Sequence, residues 1–424
     1  MILGGMMAGF TQPAQSEAAT VSISSNPAAV YKNSGNGALQ EFIEKKLDIK
    51  NDHGISFGGL LLGDVNYLFS GGIPNAKRWT YDSLFLFNVS VDTEKMGAWH
   101  DGLFKAEYLK VYSQEINEQA GSVLGYNSIE DISPTCRSEL YQLWYRHQFF
   151  HEKLIVRIGK SVPTIDFGNV IRSIPIVLEV PIHSMSGLIY TPIFINPSQF
   201  GVLPGYYNSA YGVTLNFVPV KNWYLNYGVF DGNLARGVQT GLKISPTLNG
   251  SYFHIAETGA AWILGKNSYP GKMGIGVWHE NGLVQNGSLS EHNASGLYLF
   301  GSQRLWYLNS KYDIQGISVF YQYGINNSSV LPVNKYVGAG LTVFGLSPLG
   351  FSPRRADDSM GVGVSLGWLN KRIFSRATEL MFQGYYQAMI TKGLYLEPAL
   401  SYLPTPGASR SAAWAGTFRA LLLF

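Results

Sequence analysis

Residues 360–368 read MGVGVSLGW. Val362, Val364, Leu366 and Trp368 recur at every second position, while Gly361, Gly363, Ser365 and Gly367 fill the places between them. Successive side chains of a β-strand point to opposite faces, so this period of two predicts a strand with one apolar face and one small or polar face. The small face decides the setting. A soluble sandwich turns its polar face to bulk water and carries charge there, whereas here that face is glycine and serine. Such a strand suits lipid on one side and a confined polar interior on the other.

The pattern recurs along the chain. Residues 337–344 place Val337, Ala339, Leu341 and Val343 opposite Gly338, Gly340 and Thr342; residues 223–230 place Trp223, Leu225, Tyr227 and Val229 opposite Tyr224, Asn226 and Gly228. Ile317, Val319, Tyr321, Tyr323 and Ile325 oppose Ser318, Phe320, Gln322 and Gly324. The composition agrees: aromatic and charged residues each make up 14% of the 424 residues, where a soluble protein is about a quarter charged. No apolar run reaches the roughly 18 residues of a membrane-spanning helix. A net charge of +3 lacks the basic footprint of a nucleic-acid binder, and the single Cys136 excludes a disulfide framework and a cysteine zinc site.

Sixteen segments carry the alternation, with starts near residues about 54, 78, 102, 138, 154, 208, 222, 250, 271, 295, 316, 334, 359, 377, 394 and 411. An even number closes into a 16-stranded antiparallel transmembrane β-barrel, all-β, wide enough for an aqueous channel. With both ends in the periplasm, odd-numbered connections lie outside. The long gaps at about 115–137, 163–207, 232–249 and 282–294 fall there, and the short turns at residues 151–153, 219–221 and 391–393 fall opposite, as such barrels require. LSPLGFSPRRADD, residues 346–358, is long where a turn is expected. The many Tyr, Phe and Trp are then expected in two girdles at the lipid headgroups.

Residues 1–37 form a signal-like and linker segment: an apolar run from Met1 to Phe10, then the small-residue stretch AQSEAAT, with no basic residue before Lys32. Residues 38–50 predict a short periplasmic helix, with Leu39, Phe42, Ile43 and Leu47 at helical spacing. The barrel occupies residues 54–424. Its last strand, SAAWAGTFRALLLF, sets Trp414, Phe418, Ala420, Leu422 and Phe424 on one face against Ala415, Thr417 and Arg419. A final strand ending in Phe resembles the insertion signal of bacterial outer-membrane barrels.

Four stretches together resemble the carbohydrate-selective porins of Gram-negative outer membranes, the OprB type: FGGLLLGDVNYLFSGG (57–72), SELYQLWYRHQFFHEKLIVRIGKSVPTIDFGN (138–169), NPSQFGVLPGYYNSAYGVTLNFVP (196–219) and YLEPALSYLPTPGA (395–408). Their order along the barrel carries the likeness. The resemblance implies a sixteen-stranded porin through which glucose and other sugars diffuse passively. The long turn around Arg354 and Arg355 departs from the family pattern.

A sugar channel needs groups that replace water on hydroxyls without holding the solute tightly. Alternation aims Lys105, Glu107, Trp144, Arg146, Arg157, Arg304, Glu397 and Arg419 into the lumen. The connection at about 162–208 is the longest, and it is expected to fold inward as a constriction carrying Asp166 and Arg172. For Arg146 and Arg157, on adjacent strands, two roles stay open: pairing with carboxylates to brace that loop, or touching solute. Lys105 and Glu107 are placed for a local ion pair, and a register slip would move Trp144 to a girdle. The expected partners are sugars or small polar solutes and outer-membrane lipid, with homotrimer and monomer both open and no nucleic acid. No cofactor and no metal are expected, since the eight His residues show no ligand spacing. The His279–Glu280 pair is a weak catalytic motif, so no enzyme is expected. The alternative to sugars is a porin for other small polar solutes or organic anions, favoured by the lumenal arginines.

Overall fold

The structure, a computed structural model, describes residues 54–127, 129, 136–151, 153–163, 166–168, 209–220, 222–232, 248, 250–265, 269–308, 315–347, 350, 351, 355, 358–391 and 393–424. The signal-like segment at 1–37, the helix expected at 38–50, and most of the 162–208 connection, Arg172 included, lie outside these residues.

The chain forms a closed antiparallel barrel of sixteen strands. They are β1 (Ile55–Ser70), β2 (Trp79–Asp92), β3 (Gly102–Tyr112), β4 (Cys136–Phe149), β5 (Leu154–Ser161), β6 (Ala210–Val220), β7 (Trp223–Asp231) and β8 (Tyr252–Leu264). The second half is β9 (Tyr269–Asn286), β10 (Leu289–Tyr307), β11 (Gly316–Asn326), β12 (Val333–Phe344), β13 (Ser359–Leu369), β14 (Thr378–Thr391), β15 (Leu394–Thr405) and β16 (Ala413–Leu423). Each strand pairs with its chain neighbours, and β1 pairs with β16 to close the ring. No described helix is long and apolar enough to cross a membrane.

The period of two becomes a two-faced wall. Val362 is 58% exposed, Ile158 55% and Phe418 49%, all pointing outward from strands whose alternate residues are buried. So much exposed apolar surface, continuous around the wall, matches a hydrocarbon surround and not water. Two aromatic groups border it. At the rim with the long connections Tyr402 stacks on Trp414 at 4.3 Å and Tyr67 meets Trp79, tilted, at 4.5 Å. At the rim with the turns Phe104 meets Tyr145 at 4.7 Å, and Trp99 Nε1 donates to the Tyr145 hydroxyl at 2.8 Å.

Strand starts agree with the sequence reading to within a residue or two, except at β10. That strand begins at Leu289, and residues 282–294 are a continuous β9–β10 ribbon turning at Gly287, not a loop. The ribbon was hidden because its covered face mixes Val284, Leu289 and Ala294 with Asn286 and Glu291, which bond residues 328–330, and the apolar alternation is lost. Residues 346–358 add no strand to the barrel. A two-rung hairpin, 346–347 with 350–351, sits there, and Asp358 ties the segment to β14 by accepting from Met389 N at 2.9 Å while pairing with Arg355 at 2.9 Å.

At the closing seam Asp64 and Arg419 are cross-strand partners. Arg419 Nε donates to Asp64 Oδ1 at 2.8 Å and Nη2 to Oδ2 at 2.7 Å, a two-pronged pair inside the barrel. Below it Gly59 N donates to the Phe424 carbonyl at 2.7 Å, and the Phe424 ring stacks on Phe85 at 6.2 Å. Removing one member of a buried pair costs about 3–5 kcal/mol, because the other charge is left without its partner. Arg419→Met is therefore expected to lower sharply the temperature at which the folded barrel opens on an unheated gel, and Asp64→Asn with Arg419→Met is expected to recover most of the loss. Equal loss in the single and double variants would contradict a pairing role.

Candidate functional site

Inside the barrel several of the charged residues are gathered into pairs. Glu107 lies between Asn88 and Gln142 in the ladder, and Lys105 lies between Ser90 and Trp144. Lys105 Nζ bonds Glu107 Oε2 at 2.8 Å, and Gln142 Nε2 donates to Glu107 Oε1. Trp144 points inward, 2% exposed, and its indole N–H reaches Gln142 Oε1 at 3.3 Å. One rung toward the turns, Arg146 and Arg157 face each other across β4 and β5. The Arg157 guanidinium lies 4.6 Å above the Trp144 ring, and Nη1 bonds Asp166 Oδ2 at 2.7 Å. Stacking and pairing together hold a cation in one orientation, which a rigid guanidinium suits.

Asp166 begins the inward segment. Its backbone carbonyl accepts from Asn226 Nδ2 at 3.1 Å, Phe167 is buried in the interior, and Gly168 N donates to Glu257 Oε2 at 2.6 Å. Glu257 also accepts from the Tyr224 and Tyr298 hydroxyls, each at 2.6 Å. Glycines make room for the rings. A Cβ on Gly276 would stand 2.1 Å from Tyr298, and one on Gly228 would stand 3.0 Å from Phe167. The inner wall of β7 to β10 is thus an aromatic bed of Tyr224, Phe230, Phe253, Trp278 and Tyr298 in one cluster with Phe167. Because these rings are almost wholly covered, they support the inward segment and do not form an open stacking surface.

A second inward segment follows β3. A short helix, α1 (Ile116–Ala120), leads into residues 121–127, which run inside the barrel against β14 and β1. Glu379 holds them: Ser122 Oγ donates at 2.6 Å, Val123 N at 2.7 Å, Leu124 N at 3.0 Å, and Gly407 N from the β15–β16 connection at 2.7 Å. Farther along, Gln383 Nε2 donates to the Tyr126 carbonyl at 2.9 Å and Asn127 Nδ2 to Asp64 Oδ2 at 2.8 Å. A carboxylate with three or four donors satisfies loop amides that would otherwise be buried without partners.

The sequence-selected residues therefore divide. Lys105, Glu107, Trp144, Arg146, Arg157 and Asp166 come together on β3 to β5 and the segment after it. Glu397 and Arg419 are cross-strand partners at the seam, with Gln387 Nε2 donating to Glu397 Oε2 at 2.6 Å. Arg304 stands apart on β10 near the turns, over Tyr307 and Phe344 at 5.2 and 5.5 Å. Sequence reasoning passed over Asp64, Glu257 and Glu379, as well as Arg137, Glu139 and Lys160, where Glu139 lies 3.6 Å from Arg137 and 3.7 Å from Lys160. Their signal was present: each is an ionisable residue on the inward face of an alternating strand. His279 and Glu280 take opposite faces of β9, so they form no joint catalytic pair. Among the described residues no group of three His, Cys, Asp or Glu side chains is placed to hold a metal.

A closed sixteen-stranded wall, an interior of paired charges and inward-folded connections place the chain among porins. The model of the carbohydrate-selective porin family, OprB, matches residues 76–421. The chain belongs to this family. The porin is similar in fold to Pseudomonas putida OprB: the high-pH structure shares 17% identity over 91% of this chain and 97% of that one, with a TM-score of 0.75. The low-pH structure of the same protein shares 15% identity over 92% and 99%, with a TM-score of 0.56. No curated protein matches the sequence. Family and fold point to a channel and to the outer membrane of Gram-negative bacteria.

Glu257→Gln keeps the shape of the side chain but gives up an acceptor to Gly168 N or a tyrosine hydroxyl, a loss of about 1–3 kcal/mol at a buried donor. The porin carrying it is expected to show larger and noisier single-channel currents as the segment at 166–168 loosens. Currents indistinguishable from those of the parent would remove Glu257 as an anchor.

Proposed function

We propose that this porin sits in the outer membrane and passes glucose-like mono- and oligosaccharides by passive diffusion through a water-filled passage, with Lys105, Glu107, Trp144 and Arg146 on the inner face of the wall that bounds it on one side. The observation that carries this reading is the internal pairing of the lumenal charges: Lys105 with Glu107, Arg157 with Asp166, and Arg419 with Asp64. Paired charges offer many hydrogen-bond donors and acceptors with little net attraction for an ion, which suits neutral polyhydroxylated solutes that must leave as readily as they enter.

In this reading Arg157 braces the inward segment through Asp166, and Arg146, less enclosed, meets solute. The 162–208 connection, with Arg172, completes the constriction. Selectivity for organic anions is the second reading, and it rests on the direct opposition of Arg146 and Arg157 across β4 and β5.

Single-channel recording separates the two. Glucose and its linear oligomers are expected to reduce the ion current in proportion to their occupancy. Arg157→Ala or Trp144→Ala is expected to weaken that block by about tenfold, the effect of roughly 1.4 kcal/mol. A current insensitive to sugars but reduced by citrate would support the anion reading.

A further inference from the structure

Three connections at the long-connection rim carry basic residues and no Asp or Glu: residues 71–78 (GGIPNAKR), 370–377 (NKRIFSRA) and 406–412 (PGASRSA). They join β1 to β2, β13 to β14 and β15 to β16, so they stand side by side around the closing seam. Lys77, Arg78, Lys371, Arg372 and Arg410 are exposed there. Hydrogen bonds fasten the three connections into one platform. Arg376 Nε donates to the Ser409 carbonyl at 2.8 Å and Nη2 to the Arg410 carbonyl at 2.6 Å, while Ser409 Oγ donates to the Gly72 carbonyl at 2.8 Å. Asn370 fixes the turn that presents Lys371 and Arg372: its Oδ1 accepts from Arg372 N at 3.0 Å, and its amide donates to the Ser329 carbonyl at 2.8 Å.

Scattered surface cations need nothing but water, and these are not scattered. Among the described residues Lys77, Lys371, Arg372 and Arg410 have no ion pair. Glu379, beneath them, is enclosed by the loop amides it accepts from, and the exposed Glu115 and Glu118 belong to α1 and its cap. Each connection also adjoins a tryptophan of the outer wall. Lys77 and Arg78 directly precede Trp79, Lys371 and Arg372 follow Trp368, and Arg410 precedes Trp414. Trp79 is 67% exposed, and Trp368 continues the outward face of Val362 and Val364. Indole rings on a lipid-facing wall mark the headgroup level, which sets the basic residues beside the lipid phosphates.

We propose that this platform binds phosphate groups of the surrounding leaflet's lipid headgroups, through Lys371 and Arg372 on one connection and Lys77 and Arg410 on the two that flank the seam. The adjoining tryptophans select a lipid over a dissolved anion, and cations held without carboxylate partners on bonded loops supply charge-assisted donors for phosphate oxygens. The inference rests on the outer-membrane placement proposed above.

Native mass spectrometry of the full-length porin in neutral detergent tests it, with diphosphoryl lipid A and its dephosphorylated form, identical in chains and sugars, as probes. The parent is expected to retain the phosphorylated form more tightly, by roughly fivefold per basic group engaged. Lys371→Gln with Arg372→Gln, and separately Lys77→Gln with Arg410→Gln, are each expected to lower that preference. Lys95→Gln with Lys153→Gln, exposed at the opposite rim, is expected to leave it unchanged. Equal retention of both forms by the parent, an unchanged preference in either platform variant, or an equal loss in the opposite-rim variant overturns the proposal. So does a current block by glucose 6-phosphate, in a bilayer of uncharged lipid, that the platform variants lose while their lipid preference stays; the platform would then serve dissolved anions. Block of the ion current by glucose reports separately on the sugar channel, so a failed lipid preference in a porin that glucose blocks counts against the platform alone.

Discussion

The ladder between β1 and β16 is the constraint on which the rest of the molecule depends. In hydrocarbon every backbone N–H and C=O must find a partner within the protein, and a sheet satisfies that demand only when its edges meet. Here the meeting is between the beginning and the end of the barrel: Asp64 against Arg419, and Gly59 against the terminal Phe424. The ion pair makes register at the seam chemically specific. A slip of β16 by one residue would turn Arg419 away from Asp64 toward lipid and its apolar neighbours inward.

Closure creates an interior, and the interior is organised by carboxylates. Glu257 receives the segment that follows β5 and Glu379 the segment that follows β3, each accepting from loop amides and hydroxyls. Asp166 and Asp64 perform the same service through arginines and Asn127. An acid on a rigid strand is a suitable fastening for a connection folded into the barrel, because it accepts several donors at once and needs no ladder position of its own. The lumen is thereby narrowed by chain that is bonded in place, and part of its charge is held in ion pairs in doing so. The passage that results is polar without being strongly ionic, which is the property a sugar channel requires.

Much of this was legible in the sequence. Alternation in segments such as 360–368 located the strands and put Lys105, Trp144, Arg157 and Arg419 on the inner face, where they stand. For Arg157, read as brace or solute contact, the ion pair with Asp166 at 2.7 Å favours the brace. Glu257 and Glu379 were missed because a periodic pattern shows which face a residue takes but not which distant loop reaches it. Gly168 lies 89 residues before Glu257, and Val123 lies 256 before Glu379. The inward turn of residues 116–127 was missed for a related reason: a helix of five residues leaves too short a period to read. The β9–β10 ribbon was misread as a loop because its covered face mixes Val284, Leu289 and Ala294 with Asn286 and Glu291, which bond residues 328–330, so no apolar alternation marks it.

The central claim is that a closed barrel with an internally neutralised lumen admits sugars by their hydroxyls and not by charge. Swelling of liposomes containing the purified porin measures this directly, with glucose and small oligosaccharides compared against organic acids of matched size. Faster entry of the sugars, with little change as salt is raised, is the predicted result. Equal rates for all solutes of one size, or faster entry of the acids, would contradict it.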